Sequence, residues 1–245
     1  MFDQVEAFIR EANGVRCQAE LGELLAEISR ELGFRYFALA HHVDILASPR
    51  SAIRLHNYPP KWAHYFDAEK LGASDPVHRA SHMTCVGFAW ADLPRMIPLT
   101  ERDRNILALA GRNGIGAGYT VPAHVPGESN GSCSFATPIG QPLQQQHLRA
   151  AHLIGGFAFE AARRLWRIRE EESPPAPRLT DRQRDCVLWA MRGKTAWEIG
   201  RILDVREDTV VQHLKAARQR YGGVRAMQLA VLTLFDGTVG YREVL

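Results

Sequence analysis

The chain has 245 residues, 46% of them hydrophobic and 23% charged, with a formal net charge of +3; this suits one large and one small globular domain and excludes a disordered or fibrous chain. No apolar run approaches the ~18 residues of a membrane span, and the opening MFDQVEAFIRE sets acids among its apolar positions, so neither a span nor a secretory signal is expected and a cytosolic home follows. Charge is uneven: residues 178–245 hold 12 Lys+Arg against 8 Asp+Glu, a net of +4, and residues 1–168 hold 17 against 16, which is the sign expected of a small C-terminal piece that meets phosphate.

In chain order, Phe2, Val5, Phe8 and Ile9 are spaced for a helix to about Asn13, and Leu21, Leu24, Leu25, Ile28 and Leu32 for a second helix, ended by Gly33. The run FRYFALAHHV, Phe34 to Val43, reads as a strand, with His41 and His42 on its faces. Turns are expected at Ser48–Arg50 and Asn57–Pro60, then a helix from Pro60 to about Glu69, and another opened by Asp75 as cap and Pro76 in the first turn. Thr100 followed by Asp103 caps a helix that Gly111 and Gly114 close. Ala117–Pro122 and Ser132–Pro138 read as a hairpin, and a long helix runs from Gln144 to about Arg169. EEESPPAPR, residues 170–178, has the composition of a semi-rigid linker. The reading is an α+β chain: a sensor-like domain at 1–169 with one antiparallel sheet between helices, and an all-α four-helix domain at 179–245.

Within the C-terminal domain, Thr195 and Glu198 form a capping-box pattern, so a helix starts there and runs to about Leu203, with Ile199, Ile202 and Leu203 on one stripe. After a break at Asp204 and Val205, the spacing of Val210, Leu214 and Ala217 carries a second helix to Tyr221, stopped by Gly222 and Gly223. Two short helices joined by a tight break, the second bearing His213, Lys215, Arg218 and Arg220, have the form of a helix-turn-helix. The competing reading is a structural helix pair with a solvated basic face.

The segment LTDRQRDCVLWAMRGKTAWEIGRILDVREDTVVQHLKAARQRYGG resembles the DNA-binding domain of LuxR-type transcription regulators. The family pattern is matched at Leu179, Thr180, Arg182, Trp189, Gly193, Lys194, Thr195, Glu198, Ile199, Thr209, Val210 and His213. Gln183 replaces the usual Glu, yet still completes a capping box with Thr180. Arg206 replaces the usual Ser, removing a good N-cap and adding a charge that can reach phosphate. On this reading Thr209, Val211, Gln212 and Lys215 face the major groove, Lys194 and Arg218 turn toward phosphate, and Thr195, which starts the first helix of the motif, is a DNA-binding residue with them.

NYPPKWAHYFDAEKLGASDPV, followed by FAW, resembles the acyl-homoserine-lactone pocket of the same family at Tyr58, Trp62, Asp75, Pro76 and Trp90, with Phe66 where a Tyr is usual. The resemblance implies an α-β-α sandwich with a pocket between the sheet and one helical layer. It further implies that the Trp62 indole N–H donates to the lactone carbonyl, Asp75 accepts the ligand amide N–H, Tyr58 bonds the acyl carbonyl and Trp90 packs on the lactone; Ser134 is a further contact for the acyl carbonyl. Aromatic groups with one polar handle each suit a neutral amphiphile. Asp75, set among apolar and aromatic groups, is expected to lack donors until the ligand amide arrives.

Other chemistries were weighed. Cys17, Cys85, Cys133 and Cys186 lack C-x-x-C spacing and read as reduced core residues. His78 and His82, four apart, offer a metal pair, but without the Glu of H-E-x-x-H. No nucleophile elbow or phosphate-cradling glycine loop is present, which argues against an enzyme. The expected function is a homodimeric regulator in which an acyl-homoserine lactone controls binding to an inverted-repeat DNA site, with no cofactor and no metal. The alternatives are a regulator whose pocket takes another molecule or none, and a metal-dependent hydrolase fused to the DNA-binding domain.

Overall fold

The computed structural model describes residues 2–42, 52–126, 128–169 and 177–245. The expected turn at 48–50 and residues 170–176 of the expected linker lie outside them. The chain divides into a sheet-containing unit and a helical unit.

The first unit opens with α1 (Phe2–Gly14) and α2 (Gln18–Glu31), which bury Val5, Phe8 and Ala12, and Leu21, Leu25 and Ile28, the spacing that gives each helix one apolar stripe. Strand β1 (Tyr36–His41) follows, with Phe37, Leu39 and His41 buried on one face. A strand not anticipated from sequence, β2 (Arg54–His56), pairs with it; three residues are too few for alternation to register. Then come α3 (Pro60–Ala68), a 3-10 turn at Leu71–Ala73, α4 (Pro76–Ser81), β3 (Phe88–Ala89), a 3-10 turn at Trp90–Asp92, α5 (Leu93–Met96) and α6 (Glu101–Arg112). Gly111 lies inside α6, and the expected closure there is corrected: the helix continues to Arg112 and the chain turns at Gly114. The hairpin β4 (Ile115–Ala123) and β5 (Gly131–Pro138) and the long α7 (Leu148–Arg169) complete the unit.

The five strands lie in the order β2-β1-β5-β4-β3, every pair antiparallel. Residues directly opposite one another share a face. Phe37, Leu39, Val121, Cys133 and Phe135 therefore point to one side, where they pack with α1, α2 and α7 in a single core. On that side α7 buries Ala151, Ile154, Ala158, Ala162 and Leu165, while Leu153 and Phe157 are left partly exposed. The other face carries small and polar residues and is covered by helices that include α4 and α6, so the unit is an α-β-α sandwich. Of the cysteines, Cys133 and Cys186 are buried, but Cys17 and Cys85 are exposed, which corrects the expectation of four core thiols.

In the helical unit, α8 (Asp181–Met191) starts at the reciprocal capping box of Thr180 and Gln183. The next helix, α9 (Ala196–Leu203), starts at that of Thr195 and Glu198. Asp204 takes a left-handed conformation at φ 54° and Val205 N–H donates to Gly200 O. A side chain at Gly200 would lie 2.7 Å from the Val205 carbonyl oxygen, so only glycine lets the turn close this tightly. Helix α10 (Glu207–Arg220) follows, then α11 (Ala226–Phe235) and the short α12 (Tyr241–Val244). Val187, Ala217, Leu229 and Val239 form one core cluster, and Cys186, Ile199 and Val210 another. Ile202, expected on the buried stripe of α9, is 44% exposed: an eight-residue helix buries only its Ile199–Gly200 side.

Candidate functional site

Between the polar sheet face and the helices lies a cavity of about 240 Å³, lined by Tyr58, Trp62, Phe66, Asp75, Trp90 and Ser134 among others. All six sequence-expected pocket residues thus come together, from four separate stretches of chain. The loop before α3 is fixed by Asn57, whose amide Oδ1 accepts from Phe37 N–H at 2.7 Å and whose Nδ2 donates to Arg35 O at 3.0 Å. That clamp sets Tyr58 against the sheet. Pro60 then opens α3 without losing a needed N–H, and one helical turn brings Trp62 and Phe66 together, ring centroids 5.7 Å apart.

Asp75 caps α4, its Oδ1 accepting from Val77 N–H at 2.6 Å and His78 N–H at 3.4 Å. The expectation of a carboxylate short of donors is therefore corrected: the helix N-terminus supplies them, and Oδ2 remains an available acceptor. Helix α4 is braced to α6 by Arg79, which donates to both oxygens of the buried Asp103 at 2.8 and 3.0 Å. Burial raises the Asp103 pKa, but the Thr100 amide and hydroxyl and the Arg79 guanidinium together hold it below the usual value.

One polar group missed by sequence reasoning, Thr120, organises the floor. Trp90 Nε1 donates to Thr120 Oγ1 at 2.9 Å, and Thr120 Oγ1 meets Ser134 Oγ at 2.8 Å. Ser134 is thus tied to the Trp90 anchor rather than standing alone. Gly118 lies beneath the Trp90 ring, where an added Cβ would fall 2.3 Å from it. The signal for Thr120 was present, since a hairpin closed by residues 124–130 sets Thr120 opposite Ser134. Tyr58 is held protonated by burial first and by neighbouring Asp75 and Cys133 after that, so its hydroxyl is a donor at any ordinary pH. Among the described residues neither that hydroxyl nor the Trp62 indole N–H has a protein hydrogen-bond partner.

The histidine pair weighed as metal ligands is otherwise engaged. His78 Nδ1 donates to Gly72 O at 3.0 Å, and the ring stacks on His42 with centroids 3.8 Å apart. His82 Nε2 lies 2.9 Å from His42 Nδ1, so one of the two donates to the other. Burial and the surrounding histidines hold the His42 pKa well below its ordinary value, and the cluster joins α4 to the end of β1. Among the described residues no group of three or more His, Cys, Asp or Glu side chains is placed to hold a metal ion.

In the helical unit, α10 buries Val210 and Ala217 and exposes Val211, Gln212 and Lys215; Thr209 and Arg218 are half-buried beside them. Positions 211 and 215 lie one turn apart, and fourteen residues give a rod of ~21 Å. Lys194 is exposed and loosely paired with Glu198 at 3.5 Å, a contact that costs little to exchange for phosphate. The Thr195 hydroxyl and amide both bond Glu198, the reciprocal pair that starts α9. Those cap bonds, with Lys194 nearby, hold the Glu198 carboxyl below its ordinary pKa. Arg206 at the N-cap of α10 makes no side-chain cap bond, as its chemistry predicts.

Comparison with known proteins follows this division. The family model described as the autoinducer binding domain matches residues 18–162, and that of the bacterial regulatory proteins of the luxR family matches residues 177–233. The transcriptional activator protein AhyR of Aeromonas hydrophila is 27% identical over 92% of this chain and 88% of its own length. The quorum sensing-dependent transcriptional regulator RpaR of Rhodopseudomonas palustris is 33% identical over 72% of each chain. Crystalline SdiA of Escherichia coli shares the fold, with a TM-score of 0.70 at 21% identity over 96% of this chain and 98% of its own. The chain belongs to the LuxR family: it is a DNA-binding transcriptional regulator with an autoinducer-binding domain ahead of its helix-turn-helix.

Proposed function

We infer that the protein is a cytosolic, non-enzymatic quorum-sensing regulator whose effector is an N-acyl-homoserine lactone. It is read as a ligand domain at 1–169, a linker at 170–178 and a DNA-binding domain at 179–245. The observation that carries this reading is the convergence of Tyr58, Trp62 and Asp75 on one cavity whose walls include the aromatic groups of Phe66 and Trp90 and several aliphatic side chains. Two unshared donors and one carboxylate oxygen match two carbonyls and one amide N–H. Trp62 serves the lactone carbonyl, Tyr58 the acyl carbonyl and Asp75 Oδ2 the amide, while Trp90 closes over the ring. Phe66 adds an apolar wall where a hydroxyl is absent. The cavity is smaller than the roughly 300–1,000 Å³ of common ligand pockets, which favours a short chain.

Expressing the protein beside a lactone series and identifying what co-purifies by mass spectrometry tests the reading. A lactone at about 100 times its dissociation constant stabilises the fold by roughly 2.7 kcal/mol. Asp75→Asn keeps the cap of α4 but presents a donor toward the ligand N–H, so most of that gain is lost while the ligand-free melt stays near wild type. An equal gain in Asp75→Asn would overturn the assignment.

On the DNA side, α10 is the reading helix, with Thr209, Val211, Gln212 and Lys215 toward the bases and Lys194 and Arg218 toward phosphate. Helix α11 leaves Met227, Val231, Leu232 and Phe235 at 36% exposure or more, a stripe at helical spacing that fits a two-fold dimer reading an inverted-repeat site. Leu232→Glu is expected to give a folded monomer by ultracentrifugation with weak operator binding; an intact dimer would remove that residue from the interface.

A further inference from the structure

The cavity does not end among aromatic groups. Strand register aligns His56, Ala38, Ser134 and Thr120 in one row across the sheet, each directly opposite the next. At ~4.8 Å per strand the row spans ~14 Å, from the Trp90–Thr120 anchor to the β2 edge. Ala38, and Ala40 beside it, offer only methyl groups, so the middle of the row is a shallow trough. At the far end stand Arg54 and His56 of β2 and Asp67 of α3, all lining the same cavity, with Arg54 bonded to Asp67.

That far end is polar, with Lys70 also lining the cavity. The Arg54 and Asp67 charges cancel, and burial with the neighbouring guanidinium lowers the His56 pKa and keeps the ring neutral. His56 Nε2 lies 3.3 Å from Arg54 Nη2. Guanidinium only donates, so Nε2 is the acceptor and Nδ1 carries the proton. Nδ1 is buried and, among the described residues, has no hydrogen-bond partner. A plain alkyl end laid here would shield the Arg54–Asp67 ion pair from water, at a cost in affinity. A carboxylate would face Asp67, and an ammonium would face Arg54.

We propose that the chain's preferred effector carries a neutral hydroxyl at the far end of its acyl chain, read by Arg54, His56 and Asp67. A hydroxyl both accepts from Arg54 and donates to Asp67, and it carries no charge. This rests on the lactone reading of the pocket and adds the class of chain that the lactone bears.

The test uses the full chain and matched pairs of probes: N-hexanoyl- and N-octanoyl-homoserine lactone, each beside its counterpart hydroxylated at the chain end. Affinities come from calorimetric titration and from melting shifts. In at least one pair the hydroxylated member binds about tenfold or more tightly, the discrimination expected when a site built to hydrogen-bond meets a partner that lacks the group. In Arg54→Met, and separately in Asp67→Asn, the ratio within that pair collapses toward one. Unsubstituted lactones that bind as tightly as their hydroxylated partners in every pair would overturn the proposal and leave the lactone reading standing. If neither member of any pair binds, both fall. The wild-type comparison decides the matter even if a variant does not fold.

Discussion

The two units make their sites in opposite ways. In the helical unit the groups assigned to DNA lie mostly on one face of α10, and each boundary that sets this face is local: the Thr195–Glu198 box, the left-handed Asp204 and the close approach allowed by Gly200. In the sheet unit the pocket is assembled from β1, β2, β4, β5, α3, α4, α6 and the 3-10 turns after α3 and β3, and its polar row exists only because strand register lines it up. A site on one element is separable from stability, whereas a site shared by many elements is coupled to the packing that brings them together.

The largest expected effect breaks the composite site without touching a ligand-bonding group. Gly118→Ala sets a methyl into the space of the Trp90 ring, so the indole has to leave Thr120. Overpacking of this kind costs about 1–3 kcal/mol, and the lactone-dependent rise in melting temperature disappears with the pocket wall. A variant that keeps a wild-type lactone response would show that Trp90 does not close the site. The contrasting change is Lys215→Ala on exposed α10. It is expected to leave the melt within about 0.5 kcal/mol of wild type, and to cost roughly 1–3 kcal/mol of operator affinity with loss of sequence preference. If affinity is unchanged and the salt dependence loses about one unit of slope instead, Lys215 contacts phosphate and not a base.

The same contrast explains what was legible in the amino-acid sequence. The α9–α10 boundaries follow from the Thr195-x-x-Glu198 spacing, because caps are short-range hydrogen bonds. Tyr58, Trp62, Asp75 and Trp90 were identified through resemblance, and the structure brings them to one cavity. Arg54 and His56 went unnoticed because β2 has three residues, below the length at which alternation is visible; Asp67 and Thr120 lie on an expected helix and an expected strand, and only tertiary pairing gives them a role. The role of Asp75 was half seen. Its cap was expected, yet the two N–H groups it receives were not counted against its supposed lack of donors. The exposure of Ile202 and Cys85 shows the converse failure, in which apolar character was read as burial although the short elements nearby cover only part of the surface.

The smallest effect sharpens the separability of the local site. Arg206 holds the N-cap position of α10 with extended geometry, φ −71° and ψ 150°, but no side-chain oxygen to bond the amides of the first turn. Arg206→Ser leaves the backbone as it is and supplies that acceptor, for a gain of about 0.5–1 kcal/mol in the stability of the helical unit. Glu207 and Asp208 already favour this terminus through the helix dipole, which places the gain at the lower end of the range. The lost cation works in the other direction on DNA. If Arg206 neutralises one phosphate, the slope of log K against log salt falls by about 0.9, and affinity weakens evenly across operator sequences because phosphate contacts carry no base information. A higher melt together with a shallower salt slope would show that this position exchanges stability for phosphate contact; a higher melt with an unchanged slope would leave Arg206 as a cap deficit with no role on DNA.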